Sequence, residues 1–180
     1  ASNIEKDWKW LEQQKKGFDV QLEDISDKTV LLAVQGPKAT ESLQSLTDVS
    51  LKEIAYYAHR QGTFAECESV VIANTGYTGS GGLELYFDKK YAWTIWNKIL
   101  TIGAKPIGLA ARDTLRLEMG YCLYGNELND NSSPIAAGLG WVTKPETQCI
   151  GASILQNQKE NGTPQKLVGL QSVSYTHLTL

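Results

Sequence analysis

The sequence predicts an α+β fold in which antiparallel sheets are covered by helices. Several apolar or alternating runs of strand length stand close enough in the chain to pair as hairpins. Helical segments interrupt them irregularly, without the βαβα alternation that is typical of a parallel sheet. The chain has 180 residues, of which 42% are hydrophobic, and this suits one or two compact domains with a real core.

Composition excludes several functional classes. The formal net charge of -3 argues against an extended nucleic-acid surface, which needs clustered lysines and arginines. No apolar run approaches the roughly 20 residues needed to span a bilayer, so no membrane role is expected. Cys67, Cys122 and Cys149 are far apart and lack zinc-ligand spacing. We therefore predict a reducing compartment and no metal site.

The first part of the chain predicts alternating helices and strands. A capping-box pattern at Ser2 and Glu5 opens a helix. Residues 18–22 alternate like a strand, and residues 29–34 form an apolar run that predicts a strand buried on both faces. Pro37 then starts a short helix. One apolar face of that helix carries Ala39, Leu43 and Leu46.

The middle of the chain predicts a run of strands followed by a helix. Residues 62–67 and 69–72 form a strand pair, and a glycine-rich loop over 74–82 leads into an alternating strand over 83–87. In that strand the apolar residues share one face. Asp88 caps the helix that follows. The predicted apolar side of this helix carries Tyr91, Ile95 and Ile99.

The last part predicts an amphipathic helix from Gly108 to Gly120. Its apolar face is assigned to Leu109, Leu115 and Leu117, and its two arginines and two acids are assigned to the polar face. The polar stretch 156–165 predicts a linker or exposed loop, and 167–170 would open a new strand.

Two interpretations of the glycine-rich loop remain open. The loop is not a P-loop, because no lysine follows the glycines, and it is not a dinucleotide fingerprint, because it opens a strand. Either it is a hairpin connection that needs positive φ angles, or its backbone is kept bare so that a ligand can approach.

Glu84 makes the ligand interpretation more specific. It lies on the polar face of its strand, where a glutamate ordinarily meets solvent. Beside the loop, its carboxylate could accept two parallel N–H bonds from an amidine-like edge such as that of a pterin. Tyr77, Tyr121 and Trp141 could pack against the ring and stem, although each could equally be a core aromatic.

The arginine-bearing helix also has two interpretations. Arg112 and Arg116 are four residues apart, and tyrosines follow the helix at once. Arginine and aromatic side chains near a helix start suit a planar, anionic ligand. The alternative is an ordinary amphipathic helix with a solvated charged face.

Four separated motifs, over 1–7, 75–84, 108–127 and 133–141, together resemble the T-protein family of the glycine cleavage system. The resemblance covers about residues 1–172. It implies an aminomethyltransferase that moves the methylene of an aminomethyl group, carried on the dihydrolipoyl arm of H-protein, to tetrahydrofolate with release of ammonia. Tetrahydrofolate is the co-substrate and lipoylated H-protein the partner. By the same resemblance, the folate-contacting residues fall on Tyr77, Glu84, Arg112, Tyr121 and Trp141.

The resemblance also sets limits and boundaries. It places the family's catalytic aspartate, and an asparagine that helps to hold the pterin, upstream of residue 1, so the chain alone is expected to be inactive. Residues 1–55 would complete one folate-binding subdomain and 56–155 form a second. Residues 156–172 would begin a C-terminal β-barrel, and 173–180 resemble a non-native tail.

Two other functions stay open at the level of sequence. One is a folate-binding relative without transferase chemistry that acts in iron–sulfur protein maturation. The other is the folate domain of a dimethylglycine or sarcosine dehydrogenase. For a bacterial source the family implies a cytoplasmic protein, and for a eukaryotic source a mitochondrial one.

Overall fold

The computed structural model describes residues 3–170 and divides the chain into two compact units. The first unit is Ala1–Gly108 and the second is Leu109–Leu180. Each unit is described by itself below. None of the described helices is both long and apolar enough to cross a membrane.

The first unit contains a four-stranded antiparallel sheet, which confirms the α+β prediction. The strands are β1 (Thr29–Gln35), β2 (His59–Phe64), β3 (Cys67–Ala73) and β4 (Gly82–Asp88). Their order across the sheet is β1-β4-β3-β2, and every neighbouring pair is antiparallel. The strand after the glycine-rich loop is therefore confirmed. The pair predicted over 62–67 and 69–72 is also present, but the bounds of its first strand were wrong: β2 ends at Phe64, residues 65–66 form a turn, and Cys67 already belongs to β3.

The core lies on one face of this sheet, against helices α2 (Ala39–Leu43) and α3 (Ala92–Thr101). As predicted, the alternating residues of β4 turn their apolar side chains inward. Of the predicted helix faces, Ala39, Leu43, Ile95 and Ile99 are buried, whereas Leu46 and Tyr91 are half-buried and lie just outside the two helices. These core residues include Leu43, Phe64, Val70, Ile72, Leu83, Leu85, Phe87, Ile95 and Ile99. The Asp88 cap is also present, since its Oδ1 accepts a hydrogen bond from the Lys90 N–H at 2.9 Å.

Strand β1 is confirmed in position, but the prediction that both its faces are buried was wrong. Leu31 is 47% exposed, whereas Val30, Leu32 and Val34 pack against the core. The reason is that the core covers only one face of the sheet, and Leu31 lies on the other face, paired with the half-buried Tyr86 of β4. An apolar run of this length cannot by itself distinguish a strand covered on both faces from one covered on a single face.

The N-terminal segment corrects two further expectations. Helix α1 (Ile4–Gln14) forms as predicted, but Asn3 occupies its N-cap without a side-chain hydrogen bond, and Ser2 lies outside the described residues. Residues 18–22 are not a strand. Phe18 and Val20 are exposed, and no neighbouring strand of the described chain supplies the hydrogen bonds that a strand requires.

The second unit contains α4 (Leu109–Glu118) and α5 (Ala152–Asn161), joined by turns. Helix α4 confirms the predicted helix, but its predicted apolar face was wrong. Leu109 and Leu117 are 78% and 60% exposed, and the buried side chain of the helix is Arg116. Because successive helical residues are about 100° apart, Leu115 and Leu117 point to nearly opposite sides and cannot form one stripe.

The end of the described chain differs from the expected linker. Residues 156–161 belong to α5, so the prediction of an irregular segment there was wrong. Residues 167–170 form no strand, although the Leu167 N–H donates to the Ala136 carbonyl at 2.8 Å. The tail at 173–180 lies outside the described residues. The predicted domain boundaries stay predictions. Strands β1 and β4, which pair with each other, lie on opposite sides of the boundary predicted between residues 55 and 56.

Candidate functional site

Glu84 occupies the middle of the sheet, on the face opposite the core. Its directly paired neighbours are Ala33 on β1 and Ala73 on β3. Paired residues of an antiparallel sheet lie on the same face, so the carboxylate stands between two methyl groups rather than two bulky side chains. Glu84 is half-buried, and its Oε2 accepts a hydrogen bond from the Thr75 hydroxyl. The site thus holds one oriented carboxylate between two small side chains.

The glycine-rich loop, residues 74–82, connects β3 to β4, which are antiparallel neighbours. It is therefore a hairpin connection, and Gly79, Gly81 and Gly82 have the positive φ angles that this interpretation expects. The alternative interpretation, that a ligand approaches the bare backbone, is compatible with this geometry and stays a prediction.

Gln35, at the end of β1, fastens the loop at both ends. Its Nε2 donates to the Thr75 carbonyl at 3.2 Å and to the Leu83 carbonyl at 3.1 Å. Its Oε1 accepts from the Thr78 hydroxyl at 3.4 Å. Thr75 is the residue that binds the Glu84 carboxylate, and Leu83 directly precedes Glu84, so one amide side chain supports the surroundings of that carboxylate.

Two glycines are required by this glutamine and its strand. A Cβ on Gly76 would lie 1.9 Å from Gln35 Oε1, and a Cβ on Gly82 would lie 2.4 Å from the Val34 carbonyl oxygen. Both distances are far below van der Waals contact. Part of the glycine content of the loop is thus explained by close packing inside the protein.

Two tyrosines of this unit, Tyr77 and Tyr86, lie within seven residues of Glu84 along the chain. Tyr77 lies in the loop and is half-buried. Tyr86, two residues after Glu84 on the same face, is also half-buried. Burial raises the pKa of the Tyr86 hydroxyl, and the Glu84 charge raises it further. Both effects keep Tyr86 a neutral hydrogen-bond donor at physiological pH.

The second unit is organised around Arg116, which is only 3% exposed. Its Nε donates to Asp113 Oδ1 at 2.7 Å, and its Nη1 donates to Glu127 Oε2 at 2.8 Å and to the Tyr121 carbonyl at 3.1 Å. Glu127 Oε2 also accepts from the Leu123 N–H at 2.9 Å. We call these residues, Asp113, Arg116, Tyr121, Leu123 and Glu127, the arginine cluster.

The arginine cluster fixes the charges of its own members. The hydrogen bond from Arg116, followed by that from the Leu123 N–H, lowers the pKa of the Glu127 carboxyl. The two carboxylates raise the pKa of the Arg116 guanidinium, so it stays charged. The cluster ties the chain that follows α4 back onto the helix and thereby sets the backbone position of Tyr121.

The predicted site residues fall in both units. Tyr77 and Glu84 belong to the first unit, and Arg112, Tyr121 and Trp141 to the second. Arg112 is exposed on α4, Tyr121 is half-buried, and Trp141 is 61% exposed in a turn. Their assignment as one folate site stays a prediction.

A family model described as the GCVT N-terminal domain matches residues 1–147. The chain belongs to this family. The match includes all the strands of the first unit and α4 of the second, so the family model covers all five predicted site residues and the arginine cluster.

Members of the GCVT family that resemble this chain are named aminomethyltransferases. The chain is 51% identical over 175 residues to the aminomethyltransferase of Flavobacterium psychrophilum, which covers 95% of the chain and 48% of that relative. It is 53% identical over 180 residues to that of Bacteroides fragilis, with 96% and 49% covered. The chain therefore spans about half the length of the curated relatives it matches.

A solved structure of the same family supports the fold. The glycine cleavage system aminomethyltransferase T from Bartonella henselae matches with a TM-score of 0.74 at 33% identity. The match covers 89% of this chain and 44% of that one. The similarity of fold agrees with the α+β architecture predicted from the sequence.

The structure adds four residues that sequence reasoning missed: Gln35, Thr75, Arg116 as a buried group, and Glu127. Gln35 follows the strand predicted over 29–34, and nothing local signals a partner about forty positions away. The spacing of Asp113 and Arg116 is a recognised helical ion-pair signal, and it could have suggested that the arginine is paired. Among residues 3–170, no group of histidine, cysteine, aspartate and glutamate is arranged to hold a metal ion.

Proposed function

We propose that the protein to which this chain belongs is a tetrahydrofolate-dependent aminomethyltransferase of glycine cleavage. It moves the methylene of an aminomethyl group from the dihydrolipoyl arm of H-protein to tetrahydrofolate, and ammonia leaves. The names of the bacterial relatives support this activity, and they do not favour the iron–sulfur maturation or dehydrogenase alternatives. They also support a cytoplasmic location and a partnership with H-protein.

The observation that carries the proposal is the carboxylate of Glu84 between two alanines. A pterin presents an N–H and an amino group on one edge, and a carboxylate can accept both in parallel. The Thr75 hydroxyl restrains one carboxylate oxygen, and the small neighbours Ala33 and Ala73 leave lateral space for a flat ring. An ordinary solvent-facing glutamate needs neither feature.

The remaining predicted contacts would supply shape and charge. Tyr77, Tyr121 and Trp141 would pack against the ring and stem of the folate, because aromatic faces favour flat partners. Arg112 would pair with an anionic part of the ligand. In this proposal the chain binds and orients the folate, and the protonation chemistry belongs to the family's aspartate.

Tetrahydrofolate binding by calorimetry tests the proposal directly. We expect Glu84→Ala to weaken binding by roughly tenfold to several hundredfold, because charge-assisted hydrogen bonds to the pterin are lost. The matched control is Glu68→Ala, which removes an exposed glutamate from the neighbouring strand β3. Equal affinities for wild type and both variants would refute the assignment of Glu84.

The transfer reaction gives a second test. Because the chain spans about half the length of its curated relatives, we expect the 180-residue chain alone to show no significant transfer when supplied with loaded H-protein and tetrahydrofolate. Robust formation of methylenetetrahydrofolate by the purified chain would contradict this expectation.

A further inference from the structure

We propose that Gln35 is a positioning residue for the folate-binding carboxylate of Glu84 and for the loop that carries Tyr77. This inference rests on the proposed function. It extends that function to a residue on a different strand, which would act through hydrogen bonds to the backbone.

Gln35 forms side-chain hydrogen bonds at both ends of the loop. Its side-chain amide donates to the carbonyls of Thr75 and Leu83, at the start of the loop and just after its end. These two residues bracket the site, since the Thr75 hydroxyl binds the Glu84 carboxylate and Leu83 is joined to Glu84. A shift of either carbonyl would move the carboxylate.

The glycine backbone of the loop leaves room for the Gln35 side chain. Gln35 is half-buried and is paired with Gly82 across β1 and β4. Its Oε1 stands 1.9 Å from where a Cβ of Gly76 would be, and its Cδ stands 2.7 Å from the same point. The loop can close around the amide because a glycine occupies position 76.

The Gln35 side chain lies on the same face of the sheet as Glu84, because Ala33, two residues earlier on β1, is the direct partner of Glu84. A glutamine with a general stabilising role could have made its bonds elsewhere on this edge. In residues 3–170, the Gln35 amide instead donates to the Thr75 and Leu83 carbonyls, beside the proposed folate contacts.

The chain contains a close chemical match that serves as the control. Gln44 is also half-buried, and its Nε2 donates to the Thr47 and Val49 carbonyls at 3.3 and 2.9 Å. Its Oε1 accepts from the Leu51 N–H at 2.9 Å. Gln44 therefore fastens another loop of the same unit, one that carries no proposed folate contact.

The experiment compares Gln35→Met with Gln44→Met in the full 180-residue chain. Methionine keeps much of the side-chain shape while removing the donors. We expect both variants to lower the melting temperature, but only Gln35→Met to raise the dissociation constant for tetrahydrofolate, by about tenfold to a hundredfold as for other misplaced contacts. Gln44→Met should stay within about twofold of wild type.

A glycine pair gives a second measurement if Gln35→Met folds poorly. Gly76→Ala places a methyl group against the Gln35 amide, whereas Gly62→Ala places one 2.4 Å from Val49 Cγ2, away from the loop. We expect Gly76→Ala alone to weaken folate binding strongly.

The outcomes separate the two proposals. If Glu84→Ala abolishes binding while the Gln35 and Gln44 variants bind alike, Gln35 is a structural residue only and the inference is wrong. If Glu84→Ala binds tetrahydrofolate as tightly as wild type does, the proposed folate site is wrong and the inference falls with it. Selective loss in Gln35→Met and Gly76→Ala, with Glu84→Ala also impaired, supports both.

Discussion

At the scale of single residues, each of the two units holds one carboxylate in a fixed orientation, but with different hydrogen-bond donors. Each holds a carboxylate by a short list of donors: the Thr75 hydroxyl for Glu84, and Arg116 with the Leu123 N–H for Glu127. The first carboxylate keeps acceptor capacity for a ligand. The second is bound to an arginine and to the backbone, so its role is to hold the chain that follows α4.

The Glu127 carboxylate should make the stability of the second unit depend on acid pH. Its pKa in the folded protein is lowered below the ordinary value of 4.5. A lowered carboxyl pKa adds stability above its ordinary value, and this stability is lost as the pH falls through the folded-state pKa. We therefore expect the free energy of unfolding to fall below about pH 4.5 in wild type and to fall less in Glu127→Gln.

Urea denaturation between about pH 6 and pH 3.5 measures this difference. Glu146→Gln removes the same charge from an exposed position in the same unit and separates a net-charge effect from an effect of the pair. If both variants flatten the pH dependence equally, the bond to Arg116 is not its cause.

The three cysteines should differ in reactivity at the same scale. Cys67 is 4% exposed, and burial followed by the nearby Glu66 charge raises the pKa of its thiol. Cys149 is exposed and Cys122 is half-buried. Because the thiolate is the reactive form, a thiol reagent at neutral pH should modify Cys149 first and Cys67 only on unfolding, as followed by peptide mass spectrometry. Early modification of Cys67 would show that β3 opens readily.

At the scale of elements, sequence periodicity was sufficient where one face of an element meets the core. The alternation in β4 predicted its buried residues, and the spacing of Ile95 and Ile99 predicted the buried face of α3. Periodicity failed for β1, because a continuous apolar run does not show that one face of the sheet is left uncovered. It failed for α4, because the buried group is a charged residue whose partners lie as far as eleven positions away.

In the candidate site, too, local features could be predicted from the sequence and long-range contacts could not. The strand carrying Glu84 and the loop carrying Tyr77 could be found from local patterns. The supports for that strand could not, because Gln35 joins the loop from a distant strand. Backbone hydrogen bonds from a side chain leave no periodic trace in the sequence.

Strand β4 should be more sensitive than the edge strand β1 to truncation of side chains. Strand β4 pairs on both sides, and Leu85 is fully buried. We expect Leu85→Ala to lower the free energy of unfolding by about 2–5 kcal/mol, because it leaves a cavity in the core. On the edge strand, Leu31→Ala should cost less than about 1 kcal/mol, since Leu31 is 47% exposed. Equal costs in chemical denaturation would contradict the observed division of faces.

At the scale of the whole chain, much apolar surface is exposed among the described residues. Trp93 and Leu109 are 75% and 78% exposed. A shallow apolar groove also crosses the first unit. Its lining residues are Val30, Leu32, Ala92, Trp93 and Trp96. Exposed apolar patches promote association, and the chain spans about half the length of its curated relatives.

We therefore expect the isolated chain to bind a hydrophobic dye and to self-associate as its concentration rises. Trp93→Gln should reduce both effects, whereas Thr101→Gln, at the end of the same helix, should not. Dye fluorescence and light scattering measure the two properties. A monodisperse chain that binds no dye at high concentration would contradict the expectation.

The arginine cluster has a consequence for how the family can change over evolutionary time. Glu127 and Arg116 form an ion pair at 2.8 Å in a place where Arg116 is almost inaccessible to water. Losing Arg116 leaves Glu127 without this partner, and losing Glu127 leaves the buried guanidinium with only the partly exposed Asp113. Substitutions at these two positions should therefore be inherited together. Position 113, whose carboxylate is 54% exposed, should vary independently. In an alignment of the family, we therefore expect positions 116 and 127 to covary and position 113 to vary without them.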